Sequence, residues 1–150
     1  MKMTISRTVN APLADVFRVY SDFENAVERV DGIEKIEILT DCPIGVGTRF
    51  KETRTMFGRE STEEMEITEF ESNKSYTVEA FSCGARFQTI FRFVPKGEAT
   101  DVEVRLSTQC VSLFAKLMSP LEFLMSSSMK KCFTADVDQL KKYCEQSVTG

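Results

Sequence analysis

Two glutamates, Glu52 and Glu63, are the residues of this 150-residue chain whose placement most suggests chemistry. If Phe57-Gly58 is a two-residue turn, Met56 faces Arg59 and Glu52 faces Glu63 across a hairpin, about 5 Å apart by ordinary sheet spacing. Close carboxylates push their pKa values apart, which suits a general acid/base pair. Arg54 lies diagonally across from Glu63 and can neutralise part of the charge. A hairpin end projecting past the core into solvent gives the same pattern, so both readings stand at this level. Two carboxylates are too few for a Ca²⁺ or Mg²⁺ cage. Histidine is absent, which excludes an imidazole base and any His-ligated metal. The five cysteines, at 42, 83, 110, 132 and 144, are never closer than twelve positions, so no CxxC nucleus exists. Cys83 has no histidine to activate it and reads as an inert thiol. No metal and no cofactor is expected.

Composition narrows the class further. Nineteen basic against 23 acidic residues leave a net charge of −4, too acidic for a nucleic-acid partner. The apolar fraction is soft and aromatic, with twelve Phe, seven Met and no Trp. The N-terminal MKMTISRTV alternates instead of forming an apolar h-region, so no secretory leader is expected. With an odd cysteine count, that points to a reducing, cytoplasmic setting. Val111 to Met125 is the most apolar stretch, but Lys116, Pro120 and Glu122 interrupt it, and no transmembrane segment is expected.

The elements that must position these carboxylates follow from periodicity. Met3, Ile5, Arg7 and Val9 alternate as a strand. Pro12 suits a first helical turn, and Val16, Phe17 and Tyr20 give that helix an apolar face. Ser21 with Glu24 reads as a capping box opening a second short helix. Strands are expected at 33–40, 47–56, 59–70, 75–83, 86–94 and 100–109, joined as an antiparallel meander. Beyond 110, Leu113, Leu117, Leu121, Met125, Met129, Phe133, Val137 and Leu140 recur at helical spacing, with a kink expected near Ser119-Pro120. The reading is one domain over 1–150.

The hairpin registers can be tested against each other. Phe50 opposite Met65, Phe70 opposite Ser75, Val78 opposite Phe91, Ser82 opposite Phe87 and Phe93 opposite Val102 put the apolar residues on one face. One cross-strand row then holds Ile67, Val78, Phe91 and Val104. The next holds Phe50, Met65, Ala80, Thr89 and Leu106, and the one beyond it Glu52, Glu63, Ser82, Phe87 and Thr108. The inner face is thus apolar at one end and polar at the other, while Lys51, Glu64, Glu66, Glu79, Arg92, Glu103 and Arg105 face outward.

The order βααββββββα resembles the START-like, or SRPBCC, superfamily, and more narrowly its polyketide cyclase/dehydrase-like branch. The stretches that carry the likeness are Ala11-Pro12, Val16-Phe17, Ser21-Asp22, Ile36 to Leu39, Gly45 to Phe50, Phe57-Gly58 and Asp138 to Lys141. The resemblance implies an α+β helix-grip fold, a curved seven-stranded antiparallel sheet around a long C-terminal helix with a cavity between them. Relatives of this kind hold lipids, sterols, hormones or polyketides there. No catalytic motif is shared, so none is carried over.

Two functions follow as expectations. In the first, the chain binds a small hydrophobic or amphipathic molecule between sheet and helix, with Met65, Phe91, Val104, Leu117, Leu121 and Met125 among the apolar lining. Glu52, Arg54, Glu63, Ser82 and Thr108 would orient a polar group at the mouth. In the second, the same cavity cyclises, dehydrates or hydrolyses its ligand with Glu52 or Glu63 carrying the proton. A regulatory module docking through the outer face ranks last, because that face is charged throughout.

Overall fold

The computed structural model describes residues 2–41, 43–56, 58–82, 85–110 and 119–149. Strand β1 spans Lys2–Val9, followed by helix α1 (Leu13–Ser21), a 3₁₀ turn at Phe23–Asn25 and the single-turn α2 (Ala26–Arg29). Strands β2 (Ile33–Ile38), β3 (Arg49–Met56), β4 (Arg59–Glu71), β5 (Ser75–Ser82), β6 (Ala85–Lys96) and β7 (Ala99–Cys110) come next, then helix α3 (Ser119–Thr149). All seven strands form one antiparallel sheet in the order β1-β7-β6-β5-β4-β3-β2. This is the expected helix-grip architecture.

Local chemistry explains the entry into it. Pro12 stands just before α1, where its carbonyl accepts from the Asp15 and Val16 amides at 3.1 and 3.0 Å. Asp15 and Arg18 lie in the first and last turns, matching the helix dipole. Val16, Phe17, Val19 and Tyr20 are buried on the face that meets the sheet. The turn after β3 uses Gly58 at φ +73°, a backbone conformation that glycine adopts without steric cost.

The core is aromatic and centred on Tyr76. Its ring stacks on Phe91 at 4.6 Å and meets Phe23 at 5.6 Å and Phe17 at 6.1 Å. Its hydroxyl donates to the Tyr20 carbonyl at 2.9 Å, satisfying a group at the open end of α1. On α3, Val137 and Cys144 are buried, and Phe133 and Leu140 pack against the same cluster.

Three expectations need correction. The bulge between Ile67 and Glu69 sets Phe70 opposite Tyr76, not Ser75. Between β5 and β6, Val78 faces Thr89 and Ser82 faces Ala85, two residues from the expected pairing. An even shift keeps each side chain on its face, so the inner surface survives but its rows slide. Ser21 does not cap a second helix. It closes α1, its hydroxyl donating to the Phe17 carbonyl at 2.7 Å. Arg54, diagonal to Glu63 in the register as expected, pairs with Glu52 and Asp136. The kink expected near Ser119-Pro120 falls where α3 begins, at Ser119, and residues 111–118, Leu113 and Leu117 among them, lie outside the described residues.

Candidate functional site

Strand β3 carries the candidate site because alternation sends Phe50, Glu52 and Arg54 to the concave face in succession. Phe50 is buried and stacks on Phe23 at 4.9 Å. One step along, the environment turns ionic. Arg54 Nη2 lies 3.3 Å from Glu52 Oε1 and 2.7 Å from Asp136 Oδ2 on α3. The three side chains keep only 13%, 11% and 13% of their surface exposed, for Arg54, Glu52 and Asp136 respectively. A buried guanidinium with two carboxylates is the arrangement that makes such burial tolerable.

Burial still dominates the protonation of both acids. Removal from water raises the Glu52 carboxyl above its ordinary value, against the opposing pull of Arg54. Asp136 is shifted upward for the same reason, again opposed by Arg54. Each is therefore a carboxyl that holds its proton more readily than an exposed one.

The surroundings fix the guanidinium. Its carbon lies 5.5 Å from the centroid of the Phe133 ring on α3. A Cβ built on Gly32, just ahead of β2, would lie 3.1 Å from Arg54 Nη1. Beside it, the Asp31 amide donates to Gln139 Oε1 at 2.9 Å, and Gln139 Nε2 donates to the Asp31 carboxylate at 3.0 Å. The junction thus joins β3, α3 and the turn before β2.

A family model described as polyketide cyclase/dehydrase and lipid transport matches residues 1–145. The chain belongs to that family. Among solved structures, the Zhui aromatase/cyclase from a Streptomyces species aligns with TM-score 0.82 at 13% identity, over 99% of this chain and 95% of that one. A protein from Thermus thermophilus aligns with TM-score 0.79 at 19% identity, over 98% and 99%. Norcoclaurine synthase from Thalictrum flavum aligns with TM-score 0.75 at 18% identity, over 98% and 95%. At these identities the likeness is one of fold. No curated protein sequence matches the chain.

Within this polyketide cyclase/dehydrase family member, the expected site residues separate into groups. Phe50, Ile67, Val78, Val104 and Leu106 are buried on the inner face. Met65, Ala80, Phe87, Thr89, Phe91 and Thr108 stay partly exposed there. Glu63 faces Glu52 in register and accepts from the Ser61 hydroxyl at 3.1 Å, while Glu52 turns to Arg54. The side chains of Ser82, Leu121 and Met125 lie outside the described residues. Asp136 was missed. It follows Phe133 by three positions and precedes Leu140 by four, so an acid inside the apolar stripe of α3 was the signal available.

Proposed function

We propose that this protein binds or carries a small hydrophobic or amphipathic molecule in a hollow between the concave sheet face and α3. The observation that carries this reading is a change of character along one face. Phe50, Ile67 and Val104 are fully packed, Phe87, Thr89 and Phe91 beyond them keep partial exposure, and Glu52 and Arg54 stand at the ionic end. Apolar side chains that face inward yet keep solvent-accessible surface are what a ligand-sized hollow leaves behind. The family description, which includes lipid transport, supports the same reading. Leu117, Leu121 and Met125 would complete the apolar lining from the helical side, with Ser82, Glu63 and Thr108 near the mouth. The proposed setting is the cytoplasm, and among the described residues no helix is long and apolar enough to cross a membrane.

Native mass spectrometry of the gently purified protein tests this directly. A co-purifying apolar or amphipathic mass, released on denaturation, is the expected result. Failure of the protein to retain any such molecule, or to take up a fluorescent apolar probe, refutes the reading.

One observation favours a second reading, in which the same hollow cyclises, dehydrates or hydrolyses its ligand. Burial pushes the Glu52 carboxyl upward, the direction that favours a carboxyl as a proton donor. Turnover of a polyketide-type substrate that survives Glu52→Gln with Glu63→Gln rules those carboxylates out.

A further inference from the structure

The sheet is open, with β1 and β2 as its two edges. An edge strand turns alternate backbone N–H and C=O groups away from its one partner, and proteins blunt such edges with charges, bulges or a covering element. Strand β2 has all three. Glu34, Lys35 and Glu37 fill half of its six positions, its register with β3 shifts between Ile33 and Lys35, and α2 packs against it. Strand β1 is built differently. Its eight residues pair with β7 without a break, from Lys2 opposite Ser107 to Val9 opposite Thr100. On its outer face Lys2, Thr4, Ser6 and Thr8 are exposed, and only the first is charged. We infer that β1 is a pairing edge for a second copy of this chain, the two β1 strands running antiparallel about a two-fold axis at Ser6.

The strand is complementary to itself in that register. Side chains that face each other must lie on the same side of the sheet, which sets Ser6 against Ser6, Thr4 against Thr8, Ile5 against Arg7 and Met3 against Val9. Hydroxyl pairs of this kind favour cross-strand association, and no two like charges are opposed. The backbone points to the same centre. The Ser6 carbonyl accepts from Arg7 Nη1 at 2.8 Å, a donor from outside the β1–β7 ladder. In the dimer the Ser6 amide of the second copy supplies that donor. Beside β1 runs the margin of α3, joined to it where Arg7 meets Asp138 at 2.7 Å and where the Asn10 amide donates to Glu145 at 3.3 Å. A groove there is lined by Asp138, Lys141, Lys142, Glu145 and Gln146. Its two acids and two bases balance, so this margin can face its own copy without net repulsion. Seven paired residues with a polar margin make a small interface, and the dimer belongs to the weak, concentration-dependent class.

Sedimentation equilibrium of the whole protein, from micromolar to submillimolar concentration, reads the association directly. The native chain is expected to pass from monomer to dimer across that range and to stop there, because a two-fold contact closes on itself. Ser6→Lys sets two ammonium groups face to face on the axis and is expected to weaken dimerisation at least about tenfold. Ser6→Glu alone is expected to do the same. An equal mixture of the two variants is expected to recover the dimer, an outcome that neither misfolding nor the loss of a hydroxyl can produce. A native chain that stays monomeric throughout, or that assembles beyond two copies, overturns the inference. So does a dimer indifferent to both charges, or one that mixing fails to restore, since the contact then lies elsewhere.

Discussion

Asp136 on α3 holds its Oδ2 2.7 Å from Arg54 Nη2 on β3, tying the helix to the side of the sheet far from β1. The opposite flank is tied as well, by Arg7 with Asp138 at 2.7 Å and by the Asn10 amide donating to Glu145 at 3.3 Å. The helix is therefore held across the concave face by polar contacts at both margins, with Val137 and Cys144 buried between them. What distinguishes the Arg54 side is its burial. An exposed pair such as Arg7 with Asp138 contributes little. A buried guanidinium whose loss strands two acids is a different matter.

Arg54→Met is expected to cost about 3 kcal/mol in urea unfolding, because Glu52 and Asp136 are left buried without a cation. Asp136→Asn is expected to change stability by less than about 1 kcal/mol, since it removes one excess charge and Arg54 keeps Glu52. The asymmetry is the test. Equal losses in the two variants would show that the junction behaves as a simple pair.

Burial raises both Glu52 and Asp136, so the folded state binds their protons more tightly than the unfolded chain. Their contribution is therefore largest below the ordinary values of 4.5 and 3.8, and is lost as pH rises through the elevated folded values. Gln at position 52 mimics the protonated acid at every pH. The stability of Glu52→Gln relative to the native protein is expected to improve as pH increases across that window, in paired thermal melts. A difference that stays flat or declines with pH contradicts the assignment.

The residues themselves explain how much was legible in advance. The β3–β4 register was readable because Phe57-Gly58 and strict alternation leave a single solution that keeps Phe50 and Met65 together. The β5–β6 register was not. Cys83-Gly84 and Gly84-Ala85 are both plausible turns, and a two-residue shift preserves facing, so alternation cannot choose between them. The bulge did leave a trace, since Ile67 and Phe70 are both apolar and three apart, a spacing that breaks the two-residue period. The meeting of Arg54, Asp136 and Gly32 had no local signature. It depends on how α3 crosses the sheet, which no periodicity encodes.

The two tyrosines at the centre invite opposite expectations for the same substitution. Tyr76→Phe removes the 2.9 Å donation to the Tyr20 carbonyl and leaves a buried acceptor unmet. A loss of about 1–2 kcal/mol is expected. The buried Tyr20 hydroxyl has no hydrogen-bond partner among the described residues, so Tyr20→Phe is expected to be neutral or stabilising by up to about 1 kcal/mol. Denaturant midpoints at constant m-value decide it. Similar losses in both variants would mean that the Tyr20 hydroxyl has a partner after all.

Gly32 offers the sharpest check on the ionic junction, because its backbone does not need glycine: its φ is not in the positive range occupied by Gly47, Gly58 and Gly97. What it lacks is room. An added Cβ would stand 3.1 Å from Arg54 Nη1 and 3.6 Å from Asp136 Oδ1. Gly32→Ala must therefore push the guanidinium aside, and a loss of about 1 kcal/mol is expected, at the low end of overpacking costs. The same substitution made in Arg54→Met meets a thinner, flexible side chain and should cost markedly less. A double-mutant cycle measured by urea unfolding gives the coupling directly. If Gly32→Ala costs as much with methionine at position 54 as with arginine, the glycine is retained for a reason other than seating Arg54.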